Sequence, residues 1–126
     1  MIFGAEIPFA SHCRVEEIGL VEGRTRLRME VGPEHMNNFG VVHGGAICTL
    51  LDIAMGTAGR NHAGGPVMTL DMQVSFLSPG RGVLFGEGRV LRGGRSVIFS
   101  EAEVRDEAGE LVAKSSGVFK PLKTGG

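Results

Sequence analysis

The segment from Gly44 to Gly59 constrains the fold more than any other part of the chain. Its apolar residues recur at spacings of three and four, a pattern that predicts an α-helix. These residues are Ala46, Ile47, Leu50, Leu51, Ala54, Met55 and Ala58. The other side carries small or weakly polar residues and one carboxylate, Asp52, so the helix has almost no polar face. Because the segment is also too short for a membrane span of about 20 apolar residues, we expect a helix in the centre of the core.

Alternating apolar and polar residues predict β-strands on both sides of this helix. The strands before it form a hairpin over residues 14–20 and 24–31, which turns near Glu22-Gly23. The strands after it are predicted at residues 67–77, 83–91, 96–104 and 111–120. In the first of these the even-numbered residues are apolar along the whole strand, namely Met68, Leu70, Met72, Val74 and Phe76. Residues 1–13 show no clear period, so we expect an irregular lead-in there.

Two strands, one buried helix and four further strands define an α+β fold. A single helix can bury its whole circumference among strands only if an antiparallel sheet curves round it. The chain of 126 residues lies within the usual length of one domain. We therefore expect a single domain over residues 1–126, with the curved sheet wrapped round one long central helix.

Composition and the amino terminus argue against several classes of protein. The 13 Lys and Arg residues are balanced by 14 Asp and Glu residues, which argues against a nucleic-acid partner because phosphate backbones favour a basic excess. Residues 1–6 combine neither a basic start nor a hydrophobic run, so we expect no signal peptide, no membrane partner and a cytoplasmic location. Cys13 and Cys48 are expected to be free thiols. Because the His and Cys residues lack the paired short spacings of a zinc site, we expect no metal.

Residues 37–45, with the sequence Asn-Asn-Phe-Gly-Val-Val-His-Gly-Gly, are the clearest candidate for a functional site. Gly44 and Gly45 fall in the first helical turn, where amide N–H groups lack helical acceptors, and their missing Cβ atoms let a ligand approach the backbone. The N–H of Gly44, at the positive end of the helix dipole, is suited to bind a developing oxyanion. His43 would hold the loop or shape the same pocket. On spacing alone, the glycines also fit a simple turn and His43 fits a local hydrogen-bonding role.

Asp52 is the second candidate, because it is a carboxylate among apolar neighbours and a buried charge is costly unless it is paired or used. It would act as a base that activates water or as a nucleophile; the alternative is an Asp on a solvated helix face. Asp52 follows Gly44 by eight residues, or about 12 Å along a helix, which is too far for both to reach one carbonyl group. A two-fold dimer could bring Asp52 of one chain to Gly44 of the other.

The pattern Asn-x-x-Gly-x-x-His-Gly-Gly, with an Asp nine positions after the His, resembles the hotdog-fold acyl-coenzyme A thioesterases of the phenylacetic-acid-degradation (PaaI) type. The resemblance continues through residues 69–79, through the turn at Gly94-Arg95-Ser96 and through residues 109–113. It extends from about Val15 to Phe119, which is nearly the whole chain. It implies a hotdog fold, a homodimer and, further, a homotetramer.

The resemblance also implies a role for each residue of the candidate site. Gly44 would donate its N–H to the thioester carbonyl, with His43 supporting that site. Asn37 would position the attacking water or the thioester; spacing favours it over the adjacent Asn38. Asp52, reaching in from the neighbouring subunit, would be the base or nucleophile. Thr69 would help to hold the water.

For the substrate, the resemblance implies contacts with coenzyme A and with the acyl group. Arg92 and Arg95, on either side of Gly93-Gly94, match the basic turn of the family and suit phosphate recognition, although a solvated hairpin tip is the plainer alternative. Further cations without a motif are Arg60 and Arg81. The expected substrate-binding residues are Gly45, Arg92, Gly94 and Arg95, together with Phe39 and Met55 as apolar lining that could equally belong to the core.

Taken together, these features predict an acyl-CoA thioesterase that cleaves an aryl or medium- to long-chain acyl-CoA to the free acid and coenzyme A. No cofactor is expected beyond the coenzyme A that belongs to the substrate. One alternative is a non-catalytic acyl-CoA sensor, against which a buried carboxylate argues. An enoyl-CoA hydratase is the other alternative, but it would normally need a different His and Asp arrangement on a longer segment.

Overall fold

The computed structural model describes residues 1–122. Its helices are α1 (Pro8–His12) and α2 (Gly44–Ala63), with a short 3₁₀ turn at Pro33–His35. Its strands are β1 (Val15–Val21), β2 (Arg24–Glu30), β3 (Val67–Phe76), β4 (Val83–Gly93), β5 (Ile98–Arg105) and β6 (Leu111–Pro121). The hairpin, the helix and the four later strands thus lie where the sequence predicts them.

The six strands form one antiparallel sheet in the order β1-β2-β4-β5-β6-β3. α2 packs against β2 through β6, so the sheet curves round the helix. The largest fully buried side chains come from both layers and include Leu27, Met29, Leu50, Leu51, Met55, Leu84, Ile98, Val104 and Phe119. This architecture confirms the predicted hotdog fold.

A close approach between α2 and β4 brings the helix down onto the sheet. A Cβ on Gly88 would lie 2.1 Å from the carbonyl oxygen of Ala54, so only glycine fits there. The hydroxyl of Thr25, on β2, donates a hydrogen bond of 2.9 Å to the same carbonyl. This contact fixes the depth of the helix in the curved sheet, and with it the position of every side chain on α2.

The helix continues beyond the predicted end at Gly59. The apolar pattern stops there, but the backbone stays helical as far as Ala63 and ends on Gly64 in the left-handed conformation (φ 74°). The N–H of Gly64 donates a hydrogen bond to the carbonyl of Arg60, which satisfies one free acceptor of the last turn. The final turn therefore carries polar side chains, Arg60 and His62 among them, past the apolar part of the helix.

The expected irregular lead-in is ordered into two small motifs. Residues 2–5 form a tight turn in which Ile2 and Ala5 exchange backbone hydrogen bonds of 2.8 and 2.9 Å. Phe3 and Gly4, at its centre, both have positive φ, as a two-residue hairpin of type I′ requires. α1 follows at Pro8–His12, with Ala10 completely buried. Segments this short have no measurable period, which explains why the sequence analysis missed them.

Strand β3 departs from the uniform alternation predicted for residues 67–77. A bulge between Thr69 and Asp71 shifts its register against β6. Thr69 pairs with Phe119, a core residue, before the bulge, and Met72 pairs with the buried Gly117 after it. The bulge therefore puts Thr69 on the same inner side as the later, even-numbered residues, while Leu70 stays 49% exposed.

Among residues 1–122, no helix combines the length and the apolar character needed to cross a membrane. The cytoplasmic location stays a prediction from the sequence.

Candidate active site

The amino end of α2 leaves one backbone donor available. His43 is the N-cap, and its Nδ1 accepts a hydrogen bond of 2.7 Å from the N–H of Gly45. The backbone carbonyl of His43 accepts hydrogen bonds from the N–H groups of Ala46 and Ile47. The N–H of Gly44 has no acceptor within residues 1–122. An unpaired amide at the positive end of a 20-residue helix is the arrangement expected of an oxyanion donor.

The hydrogen bond from Gly45 also selects the tautomer of the neutral His43 ring. Because Nδ1 accepts this hydrogen bond, the neutral ring carries its own hydrogen on Nε2. The ring therefore caps the start of the helix, and its support of the thioester site stays a prediction.

The loop before the helix is organised by Asn37. Its side-chain oxygen accepts hydrogen bonds from the N–H groups of Phe39 (2.9 Å) and Val41 (3.3 Å), and its own N–H donates to the carbonyl of Val41. The two hydrogens on its Nδ2 have no partner within residues 1–122, so they remain available to a ligand. Phe39 lies at the tip of the loop with 80% of its surface exposed.

Asp52 and Thr69 form a hydrogen-bonded pair between α2 and β3. The hydroxyl of Thr69 donates to Oδ1 of Asp52 over 2.7 Å. The pair lines a cleft of about 230 Å³ whose other walls are mainly apolar. Those walls include Ile7, Ile53, Gly56, Pro66, Val67 and Phe119. The carboxylate is half-buried and keeps Oδ2 free of hydrogen bonds within residues 1–122, so it can take a proton from a bound water.

The two halves of the predicted site lie apart in one chain. Asp52 and Thr69 line the cleft just described, whereas His43 and Gly45 line a second cleft, next to α1. Gly44 packs against the far end of β3, since a Cβ on it would lie 3.3 Å from the ring of Phe76. Thr69 and Phe76 are seven residues apart, about 24 Å along an extended strand.

The predicted contacts with coenzyme A lie at the β4–β5 turn. Gly94 and Arg95 border a shallow, open depression, together with His62 from the end of α2 and Pro121 from β6. Arg92 and Arg95 are both exposed, and no Asp or Glu oxygen of residues 1–122 lies within 4.0 Å of either guanidinium. Both cations are therefore accessible to a phosphate.

Met55 does not line a ligand site in this chain, which corrects the prediction. It is completely buried, and its sulfur accepts a hydrogen bond of 3.3 Å from the hydroxyl of Ser115. The helical period places Met55 on the side of α2 that faces the sheet. The adjacent side of the helix lines the cleft. It belongs to the core.

Sequence reasoning did not find the full cleft around Asp52. Ala5 and Ile7, from the lead-in, form one of its walls, and Arg60 borders it from two turns further along α2. The spacing of Asp52, Gly56 and Arg60 in steps of four was a signal that could have placed them on one side of the helix. Nothing in the aperiodic lead-in indicated where it would pack.

Cys48 lies one turn before Asp52 on α2. Burial raises the pKa of its thiol, and the negative charge of Asp52 raises it further. Burial also raises the pKa of the Cys13 thiol. Both cysteines are free, and higher pKa values keep the neutral, weakly nucleophilic form dominant.

A curved antiparallel sheet wrapped round one long helix defines a hotdog-fold protein. Comparison with known sequences gives the family: the profile of the Thioesterase superfamily matches residues 39–113. The chain belongs to this superfamily and is a thioester hydrolase.

Individual proteins agree with this family membership. A protein of Saccharolobus solfataricus with a provisional esterase name is 37% identical over 87% of this chain and 80% of its own length. Human acyl-coenzyme A thioesterase 13 is 28% identical over 80% of this chain and 75% of its own length. The structure of a variant of the phenylacetic acid degradation protein PaaI from Thermus thermophilus is 26% identical, with a TM-score of 0.84 over 92% of this chain and 100% of that one.

Proposed function

We propose that the protein hydrolyses acyl-CoA thioesters as a dimer, with each active site built from two chains. One chain contributes Asp52 and Thr69, and its partner contributes Gly44, His43 and Asn37. The substrate class rests on the acyl-coenzyme A thioesterase among the relatives and on the residues of the site itself. An aryl or a medium- to long-chain acyl group remains the proposed range.

The observation that carries this proposal is the position of the two half-sites at opposite ends of β3. Thr69, near its start, is bonded to Asp52, and Phe76, at its end, packs against Gly44. Two antiparallel copies of β3 related by a two-fold axis run in opposite directions. Pairing centred between Met72 and Gln73 therefore places Thr69 of one chain opposite Phe76 of the other. Asp52 then approaches Gly44 of the partner at two equivalent sites.

The exposed side of β3 supports this pairing. β3 is an edge strand of the sheet, so its outer N–H and C=O groups are open to another strand. Apolar side chains along it and just beyond it are about half exposed, namely Met68, Leu70, Phe76 and Leu77. A second chain would cover both the backbone groups and the apolar surface. For the proposed tetramer, further apolar side chains on the outer face of the sheet, Phe99 and Leu91, offer a second surface.

The proposed reaction uses water and groups of the protein. The N–H of Gly44 donates a hydrogen bond to the thioester oxygen and stabilises the negative charge that develops there. Asp52 accepts a proton from a water held by Thr69, and the water oxygen bonds to the carbonyl carbon. The tetrahedral intermediate then expels the sulfur of coenzyme A, which takes up the proton. The products are a carboxylic acid and free coenzyme A.

A nucleophilic route is also open to the same carboxylate. In that route Asp52 attacks the carbonyl carbon and expels the thiolate, and water then cleaves the resulting mixed anhydride. A single turnover in ¹⁸O-labelled water tests the nucleophilic route. Label in the Asp52 carboxylate would establish an anhydride that water cleaves at the Asp52 carbonyl carbon, since direct attack by water on the thioester leaves Asp52 unlabelled.

Coenzyme A is proposed to lie along the β4–β5 turn. Arg92 and Arg95 are the cations available there, and guanidinium groups suit bidentate contacts with phosphate. Gly45 and Gly94 would let pantetheine and nucleotide pass close to the backbone, while Phe39, exposed at the loop tip, would cover the apolar part of the ligand.

The test is to combine two inactive chains in one dimer. Gly44→Pro removes the amide N–H alone, because proline is favoured at the first helical position and His43 already has the extended conformation that precedes proline (φ -63°, ψ 141°). We expect Gly44→Pro and Asp52→Asn each to lower kcat at least about 100-fold. A dimer that pairs the two variants keeps one intact site, so a refolded 1:1 mixture should recover about a quarter of the wild-type activity.

Gly44→Ala is the matched control, since it places a similar carbon near Phe76 but keeps the N–H. It should lose no more than about tenfold in kcat. A mixture of Gly44→Pro and Asp52→Asn that stays inactive, although differently tagged chains purify together, would contradict the shared site. Equal losses for Gly44→Pro and Gly44→Ala would contradict the role of the amide.

A further inference from the structure

Arg60 is a half-buried cation in a cleft whose lining is mainly apolar apart from Asp52, Thr57 and Thr69. It borders the far end of this cleft from Asp52, on the same side of α2. Arg60 follows Asp52 by eight residues, so their Cα atoms are about 12 Å apart along the helix axis. Gly56, between them, adds no side chain and leaves the floor of the cleft open.

The guanidinium of Arg60 has no carboxylate partner in the part of the chain that the structure describes. Arg14, Arg24, Arg26, Arg28, Arg89 and Arg105 each lie within 4.0 Å of a Glu oxygen. Arg60 has no such partner among residues 1–122, although it is more buried than most exposed arginines of the sheet. An anionic ligand group at this end of the cleft would supply the charge partner that Arg60 does not have among these residues.

The lead-in fixes the guanidinium without neutralising it. Nη2 of Arg60 donates a hydrogen bond of 3.2 Å to the carbonyl of Gly4, in the tight turn of residues 2–5. That turn is itself tied to β1, where the N–H of Phe3 donates to a carboxylate oxygen of Glu17 over 2.6 Å. Since a guanidinium carries five N–H groups in a rigid fork, this one bond orients the group and leaves donors for a ligand.

We infer that Arg60 selects acyl groups that end in a carboxylate, so that the preferred substrates are monothioesters of dicarboxylic acids. This inference rests on the proposed thioesterase function. The thioester would lie at Asp52 and Thr69, the hydrocarbon part would follow the apolar walls, and the distal carboxylate would pair with Arg60. The cleft of about 230 Å³ is smaller than a typical whole-ligand pocket and fits an acyl group alone.

Arg60 is better placed for the acyl group than for the phosphates of coenzyme A. The basic β4–β5 turn borders a different depression, which Arg60 does not line. Asp52 is proposed to act at the carbonyl carbon of the thioester. The cleft beside it on the same chain therefore holds one of the two groups attached to that carbon, either the acyl chain or the sulfur of coenzyme A. The apolar walls suit hydrocarbon, whereas the amides of pantetheine would need polar partners there.

The experiment compares two esters that differ only at the distal end, adipyl-CoA and hexanoyl-CoA. Arg60→Gln should lower kcat/KM for adipyl-CoA at least tenfold and change the value for hexanoyl-CoA less than threefold. Arg95→Gln is the contrasting variant and should lower both values by a similar factor, since both esters carry the same phosphates. Added methylguanidinium should restore adipyl-CoA turnover in Arg60→Ala. Thermal unfolding of each variant shows that the fold is kept.

Each outcome either supports or overturns the proposed role of Arg60 in selecting the acyl group. Equal losses for the two esters in Arg60→Gln, or no loss for either, would overturn it. If the wild-type enzyme hydrolyses neither ester nor any other acyl-CoA, the proposed function fails instead. Binding then decides the inference separately: Asp52→Asn should bind adipyl-CoA more tightly than hexanoyl-CoA, and adding Arg60→Gln should abolish that difference. Equal affinities in Asp52→Asn would overturn the role of Arg60.

Discussion

Individual side chains of α2 influence one another across single helical turns. Asp52 lies one turn after Cys48 and raises the pKa of its thiol, second to the effect of burial. The same charge that disfavours a thiolate at Cys48 is the one proposed to accept a proton from water.

The reactivity of Cys48 reports directly on the charge of Asp52. Asp52→Asn removes the second cause of the raised pKa and leaves burial in place. We expect the pH midpoint for alkylation of Cys48 by iodoacetamide to fall, so that the rate at a fixed pH near 8 rises. Peptide mapping by mass spectrometry separates Cys48 from Cys13.

Asp71→Asn is the control for that measurement, because Asp71 is an exposed carboxylate of β3 that does not contribute to the raised pKa. Its alkylation profile should match the wild type. A profile for Asp52→Asn that is identical to both would show that the Asp52 carboxylate does not influence the Cys48 thiol.

At the scale of elements, the contact between α2 and β4 determines where the site residues lie. The carbonyl of Ala54 fits over Gly88 and accepts the hydroxyl of Thr25. Ala54 lies only two residues after Asp52, so a shift of the helix at this point would move the carboxylate away from Thr69. The packing of the core and the geometry of the site thus depend on the same contact.

Gly88→Ala should be strongly destabilising. The added Cβ would overlap the backbone of Ala54 at 2.1 Å, and a backbone group cannot rotate away as a flexible side chain does. We expect the free energy of unfolding to fall by about 3 kcal/mol or more. Urea denaturation checks this. Gly19→Ala is the matched strand control, because no atom lies within 4 Å of its added Cβ, and it should change stability by less than about 1 kcal/mol.

At the scale of the whole molecule, the free edge of β3 determines the proposed assembly. The other edge strand, β1, exposes apolar residues to a similar extent, with Leu20 50% exposed against 49% for Leu70. Exposure alone therefore does not distinguish the two edges. Only β3 joins the two half-sites, through Thr69 and Phe76.

A charge on the β3 edge should dissociate the dimer. Leu70 and Leu77 are both about half exposed in the single chain, so Leu70→Lys with Leu77→Lys should leave the fold intact but place cations where a second chain would pack. We expect sedimentation to show monomers, with activity per chain at least about tenfold lower than wild type. Leu20→Lys, on β1, is the control and should stay dimeric and active. A fully active monomer would contradict the two-chain site.

The sequence by itself determined the elements and led to the proposed reacting groups. The spacing of apolar residues in α2 and the alternation in the strands are local patterns, set by the geometry of helix and strand, so they could be recognised without a structure. Gly44 at a helix start and Asp52 inside an apolar helix are likewise defined by their neighbours along the chain. The separation of these two residues followed from the helical rise alone.

Only the tertiary structure decided which of these groups meet. The bulge in β3 depends on pairing with β6, and it turns Thr69 towards Asp52. Met55 is in the core because the sheet covers that side of α2, and Arg60 enters the cleft because the lead-in folds over it. These contacts join residues far apart in sequence, and no local period encodes the order of strands or the register between them.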